Sequence, residues 1–228
     1  MGDVYRWPTR DLRSHYLSLF NWLAQHFGGR ITVERSGYSY RWLTHLRRTF
    51  PEGRYIHLYR NGPDCALSMS RHAGFRCLML RRMASQLLGI DDFDLTAAHA
   101  PMLPAGLAMA AGHHYSKELL FDESISIESF GLLWSELVCE GVRQLQEFGQ
   151  DSVLHVSYEA LVANPAFQLE RMVDFIGAAP TTGWIERSSS LLSNHQAGNA
   201  VNLPAAEYAA LRRACAAGAE AIRAIAGC

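Results

Sequence analysis

Apolar residues recur at three-to-four spacing between Thr9 and Phe27, at Leu12, Tyr16, Leu19, Phe20, Leu23 and Phe27. That spacing predicts a helix, and Gly28-Gly29 ends it. "ITVER" (Ile31–Arg35) predicts a short strand, and "SGYSYRWLTHLRRTF" (Ser36–Phe50) returns to helical character before "PEG". "RYIHLY" (Arg54–Tyr59) predicts a second strand. Ile56 and Leu58 lie on one of its faces and Tyr55, His57 and Tyr59 on the other, so both faces are expected to be covered. After "NGP", Asp64 is placed to cap a long helix running through Leu88. Gly89–Ser126 is less regular and predicts loops and short helices. Ile127–Phe148 predicts a strong helix that buries Phe130, Leu133, Trp134, Val138 and Val142. "SVLHVSY" (Ser152–Tyr158) predicts a third strand. The helix after it carries its own punctuation, with Asn164 as N-cap, Pro165 at the first helical position and Gly177 at the stop. An alanine-rich stretch from Leu203 predicts one last helix. Strands alternating with helices predict a single α/β domain over residues 1–228, built on a mainly parallel sheet.

Composition narrows the function classes. Of 228 residues 49% are apolar, enough for one well-cored domain, and the formal charge is −1. That balance argues against binding nucleic acid or anionic lipid through bulk charge. No apolar run approaches the ~18 residues of a membrane span, and the N-terminus has no signal-peptide core. Cys65, Cys77, Cys139, Cys215 and Cys228 are scattered without paired spacing, as expected for reduced thiols in a cytoplasmic protein. His113 and His114 are adjacent, which suits a loop better than a metal site, and no metal is expected.

The candidate chemistry lies at "RYIHLYRNGPDCALSMSRH" (Arg54–His72). In open parallel sheets ligands sit beyond the carboxyl ends of strands. Arg60 ends a predicted strand, and Asp64 starts a helix whose N–H groups favour an anion. Ser68 follows about one turn inside. An arginine fork, a hydroxyl and a helix N-terminus together make a phosphate receptor. The alternative is that Arg60 pairs with Asp64 across the turn and Ser68 is a buried helical hydroxyl.

The neighbouring sequence bears on that choice. "VERSGYSYRWLTHLRRTFPEGRYIHLYRNGPDCALSMSRH" and "VSYEALVANPAFQLERMVDFIG" resemble, in order and separation, the two blocks of the sulfotransferases that use 3′-phosphoadenosine 5′-phosphosulfate. The resemblance covers roughly Arg10 to Gly177. It implies a three-layer fold with a mainly parallel sheet flanked by helices, of the kind found in P-loop nucleoside triphosphate hydrolases. It also implies that Arg60 and Ser68 hold the 3′-phosphate of the co-substrate, with Asp64 and Tyr158 in the same binding site. Arg35 stands where relatives often carry a lysine near the transferred sulfonate, and a cation there stabilises the breaking S–O bond. Glu34 is either a general base or the partner that orients Arg35. Tyr158 and Glu159 match the Tyr-Glu of the second block, against the alternative that they pack and hold nearby backbone. His72, Arg71 and Arg76 lie near the acceptor cleft or cofactor groove, or else pack and face solvent. No metal is required, because a sulfonate carries less charge than a phosphoryl group.

The resemblance also shows a gap. The family's first strand and its Pro-Arg-Ser-Gly-Thr phosphate loop have no counterpart before Asp11, so the chain reads as the C-terminal two-thirds of the fold, truncated by origin or by nature. Without that central strand, "RYIHLY" and "SVLHVSY" are expected to lack their shared neighbour. Asn194, His195 and Gln196 stand where a basic C-terminal segment belongs. Two functions follow: sulfonate transfer to an acceptor hydroxyl or amine, or a catalytically inactive scaffold that binds a nucleotide or a partner. The absence of Gly-x₄-Gly-Lys-(Ser/Thr) argues against a nucleotide kinase. The acceptor is expected to be a small molecule, lipid or carbohydrate; Tyr115, Phe121 and Trp184 hint at apolar character. The oligomeric state, homo-oligomer included, stays open.

Overall fold

The structure is a computed structural model that describes residues 8–35, 39–112, 119–192 and 198–226. Its helices and strands follow in chain order as α1 (Leu12–His26), α2 (Leu43–Thr49), β1 (Tyr55–Tyr59), α3 (Gly62–Ser70) and α4 (Ala73–Leu88). Then come α5 (Ala105–Ala111), α6 (Leu119–Asp122), α7 (Ile127–Leu145), β2 (Val153–Ser157) and α8 (Tyr158–Ala163). α9 (Pro165–Ile176), α10 (Trp184–Ser190), α11 (Ala205–Ala214) and α12 (Ala216–Ala226) complete the chain. The protein is mostly helical, with one small two-stranded parallel sheet among the described residues. It divides into two compact units, residues 1–59 with 140–193, and residues 60–139 with 194–228.

In the first unit, α1 begins where Asp11 accepts the Ser14 N–H at 2.9 Å. Tyr16 and Phe20 from α1 meet the Phe50 ring at centroid distances of 6.2 Å. The strand expected at Ile31–Arg35 is absent. That segment is exposed and irregular, with Val33 64% accessible. Without a neighbour its backbone has no ladder to join, so β-propensity alone does not make a strand. The helix expected over Ser36–Phe50 is a 3₁₀ turn at Ser39–Trp42 followed by the shorter α2.

β1 and β2 pair in parallel over five residues, from Tyr55 opposite Val153 to Tyr59 opposite Ser157. Among the described residues no third strand stands between them, and each supplies the other's hydrogen bonds directly. Burial corrects the reading of β1 as covered on both faces. His57 is buried, whereas Leu58 is 48% exposed. Below the sheet Leu43, Leu145 and Phe148 form a core with Tyr40, Tyr55 and Val153. α9 ends as expected at Gly177, whose φ of +70° lets its N–H reach back to Val173 and Asp174 carbonyls. Arg54 donates to the Phe175 carbonyl at the same helix end, where a cation is favoured.

In the second unit the long helix expected from Asp64 to Leu88 is two helices. α3 starts earlier than expected, because Asn61 is the N-cap: its Oδ1 accepts the Asp64 N–H at 3.0 Å. α3 stops at Arg71, and His72, in extended backbone, caps α4 by accepting the Gly74 N–H at 3.2 Å. The tail, expected as one helix, breaks at Cys215. The Ser135 hydroxyl occupies the break, donating to the Ala214 carbonyl at 2.8 Å and accepting the Gly218 N–H at 3.2 Å. A side chain inserted into the backbone ladder in this way interrupts a helix whose alanines would otherwise continue it.

Close packing in this unit depends on glycine. A Cβ on Gly62 would stand 2.6 Å from the Trp134 ring and 2.7 Å from Cys215 Cβ. Alanine in place of a helical glycine ordinarily stabilises by about 0.5–1 kcal/mol, but overpacking a rigid aromatic contact costs about 1–3 kcal/mol. The second effect wins, and Gly62→Ala is expected to lower the midpoint of urea unfolding. A midpoint at or above that of the unsubstituted protein would contradict this packing.

Candidate functional site

Arg60 follows β1 directly in the chain, and Asn61-Gly62-Pro63 turns into α3. Pro63 sits in the first turn of that helix, where its missing N–H costs nothing. Asp64 is 3% exposed and both of its oxygens are occupied. Oδ1 accepts the Ala200 N–H at 2.8 Å, and Oδ2 accepts the Gly198 N–H at 2.5 Å and the Asn61 side-chain amide at 3.1 Å. The Arg60 guanidinium lies 3.3 Å from the same oxygen, with 18% of its side chain exposed. Burial alone would raise the carboxyl's pKa. The N–H of Ala200, the Asn61 amide, the Gly198 N–H and the Arg60 charge outweigh it and hold the group below its ordinary range.

Ser68 lies one turn beyond Asp64, at the i+4 position of the same helix, and is exposed. The pairing of Arg60 with Asp64 is therefore real, but the accompanying idea of a buried Ser68 hydroxyl is not. The arrangement is a charge-paired arginine, an exposed hydroxyl and a helix N-terminus in one unit. Its donor set suits an anion with several acceptor oxygens.

The remaining candidates are placed as follows. Glu34 and Arg35 are exposed on the irregular segment of the first unit. Tyr158 opens α8 in that unit, half-buried, and Glu159 accepts the Ser157 hydroxyl at 2.8 Å while Ser157 caps the helix through the Ala160 N–H. His72 is an exposed helix cap. Arg71 is exposed at the end of α3. Arg76, considered for the cofactor groove, is instead a buried internal clamp. It donates through Nε to the Leu120 carbonyl at 2.6 Å, through Nη1 to Ser70 at 3.3 Å and through Nη2 to Glu123 at 2.5 Å, with its guanidinium over the Phe121 ring. His113, His114, Tyr115, Asn194, His195, Gln196 and Cys228 lie outside the described residues. None of Cys65, Cys77, Cys139 and Cys215 is in a disulfide.

One cluster was not anticipated. His57 and His155 face each other across the strand pair with Nδ1 atoms 2.9 Å apart, and the Tyr40 hydroxyl meets His57 Nε2. Burial, with the His155 ring beside it, pushes His57 from 6.5 down to about 3. A histidine at the centre of each strand pattern was the available signal. Among the described residues no group of three His, Cys, Asp or Glu side chains is arranged to hold a metal ion. No helix among them is long and apolar enough to cross a membrane.

A parallel strand pair among many helices, with a turn from β1 into α3 and a charge-paired arginine at the helix start, defines a mostly helical α/β protein. The family model of the sulfotransferase domain matches residues 43–214, well over half of the chain, and the chain belongs to that family. The match contains Arg60, Asp64, Ser68 and Tyr158 and begins after Glu34 and Arg35. Neither the curated proteins nor the solved structures contain a match to it.

Proposed function

We propose that this protein transfers a sulfonate group from 3′-phosphoadenosine 5′-phosphosulfate to an acceptor hydroxyl or amine, with Arg60 and Ser68 holding the 3′-phosphate. The observation that carries this is the turn itself: Arg60 is held at the start of α3 by Asp64, and the exposed Ser68 stands one turn further along, inside the family match. Arg60 supplies a forked, permanently charged donor and Ser68 an O–H, which suits a dianionic phosphate ester. Tyr158 lies within the family match, and its part in nucleotide binding rests on the resemblance of its sequence alone. Arg35 supplies a cation toward the departing bridging oxygen, and Glu34 either accepts the acceptor's proton or orients Arg35; these two rest on the resemblance of their sequence alone. The chemistry asks for positioning and fixed charge rather than a covalent intermediate.

One observation favours a second reading, a scaffold that binds the nucleotide without turnover. β1 pairs directly with β2, where the resemblance places the strand of the phosphate loop between them. Titration with adenosine 3′,5′-bisphosphate, followed by an assay of sulfonate transfer from the full donor, separates the two. Binding with transfer supports the enzyme; binding without transfer supports the scaffold. Arg60→Ala is expected to weaken nucleotide affinity by about 10- to 100-fold, the loss of a charge-assisted hydrogen-bonded pair. Unchanged affinity would remove Arg60 from the site.

A further inference from the structure

We propose that Asp64 is a positioning residue that makes this site selective for nucleotides bearing a 3′-phosphate, an inference that rests on the nucleotide reading above. The carboxylate does not face outward as a ligand contact would. It is buried, and its two oxygens gather four donors from two stretches of the chain: Arg60 and Asn61 before α3, and the backbone of Gly198 and Ala200 from far along the sequence.

Each of those contacts constrains a different part of the anion cradle. The ion pair restrains the Arg60 guanidinium, so less side-chain freedom is lost when it meets a phosphate. The two N–H bonds fasten the Gly198–Asn202 turn beside the start of α3. That turn begins with Gly198 at a φ of +74°, a conformation that glycine adopts without strain. Asn61, which caps α3 while donating to Asp64, fixes the first turn of the helix. Four donors around one acceptor-only group keep it ionised despite burial.

Charge alone would predict the opposite behaviour. A carboxylate beside a phosphate site repels the anion, so its neutralisation should tighten binding. Positioning predicts that neutralisation loosens Arg60 and the turn together and weakens recognition of the phosphate they surround. The two accounts therefore differ in sign.

The experiment measures dissociation constants of adenosine 3′,5′-bisphosphate and adenosine 5′-phosphate by calorimetry and reads their ratio. A role confined to stability would leave that ratio unchanged in the folded variant. Asp64→Asn is expected to reduce the preference for the 3′-phosphate by about tenfold. Ala200→Pro keeps the Asp64 charge and removes one of its backbone donors; a smaller reduction is expected. If Asp64→Asn does not fold, Ala200→Pro decides the question. An unsubstituted protein with no preference for the 3′-phosphate overturns the nucleotide reading on which the proposal rests. A preference that is present, and survives or grows in the folded variants, overturns the positioning role alone.

Discussion

Arg76→Ala is expected to destabilise the unit that contains it by about 3–5 kcal/mol. The side chain is 7% exposed, and its guanidinium is the donor for carbonyls of Leu120, Ser70 and Glu123. Truncation leaves those acceptors without their donor, opens a cavity and removes the charge from the face of Phe121. Arg76→Lys should recover only a minor part, because one ammonium on a flexible stem does not reproduce a planar fork with three directions. Urea unfolding gives the magnitude. Hydrogen exchange gives the location, with Leu119–Asp122 and the end of α3 losing protection first. A loss below about 1 kcal/mol would mean that water replaces the guanidinium at low cost.

Acid is expected to loosen the strand pair of the other unit. His57 has a folded-state pKa near 3 against an ordinary 6.5. The folded state therefore binds a proton less readily than the unfolded chain. Stability from this group is full above pH 6.5 and is lost progressively as pH falls from 6.5 toward 3. At pH 5 the loss comes to about 2 kcal/mol. Burial lowers His155 in the same direction, and Tyr40 and Tyr59 offer the pair no negative charge at these pH values. Urea midpoints at pH 7 and pH 5, with exchange protection of Tyr55–Tyr59, measure the effect. His57→Gln should flatten the pH dependence. Equal midpoints in the original protein at both pH values would sink the account.

Much of the helical architecture could be read from periodicity and punctuation, because those signals are local. The Pro165 start and Gly177 stop of α9 are of this kind, as is the face of α7 that buries Phe130, Leu133 and Trp134. What could not be read depends on partners distant in sequence. Ile31–Arg35 has strand composition but no strand beside it. The break at Cys215 comes from a serine on α7 that no inspection of the alanine-rich tail would find. The same division holds at the candidate site. The spacing places Arg60 and Ser68 around one turn of chain, and the pair of Arg60 with Asp64 follows from the same short stretch. The fastening of Asp64 to Gly198 and Ala200 was not legible, since it joins segments more than a hundred residues apart.

The pairing of β1 with β2 has a consequence for how the chain acquires its structure. Its partners are separated by about 90 residues, and closing a loop of that length costs roughly 2 kcal/mol more than closing one of ten. During synthesis β1 leaves the ribosome with its hydrogen-bonding edge and Leu58 uncovered, and residues 60–152 must follow before β2 exists. Helices formed in that interval shorten the effective loop and bring the ends nearer. The sheet of the first unit thus cannot form until the chain has been made through Ser157, and until then nascent β1 carries an open edge able to pair with a wrong partner.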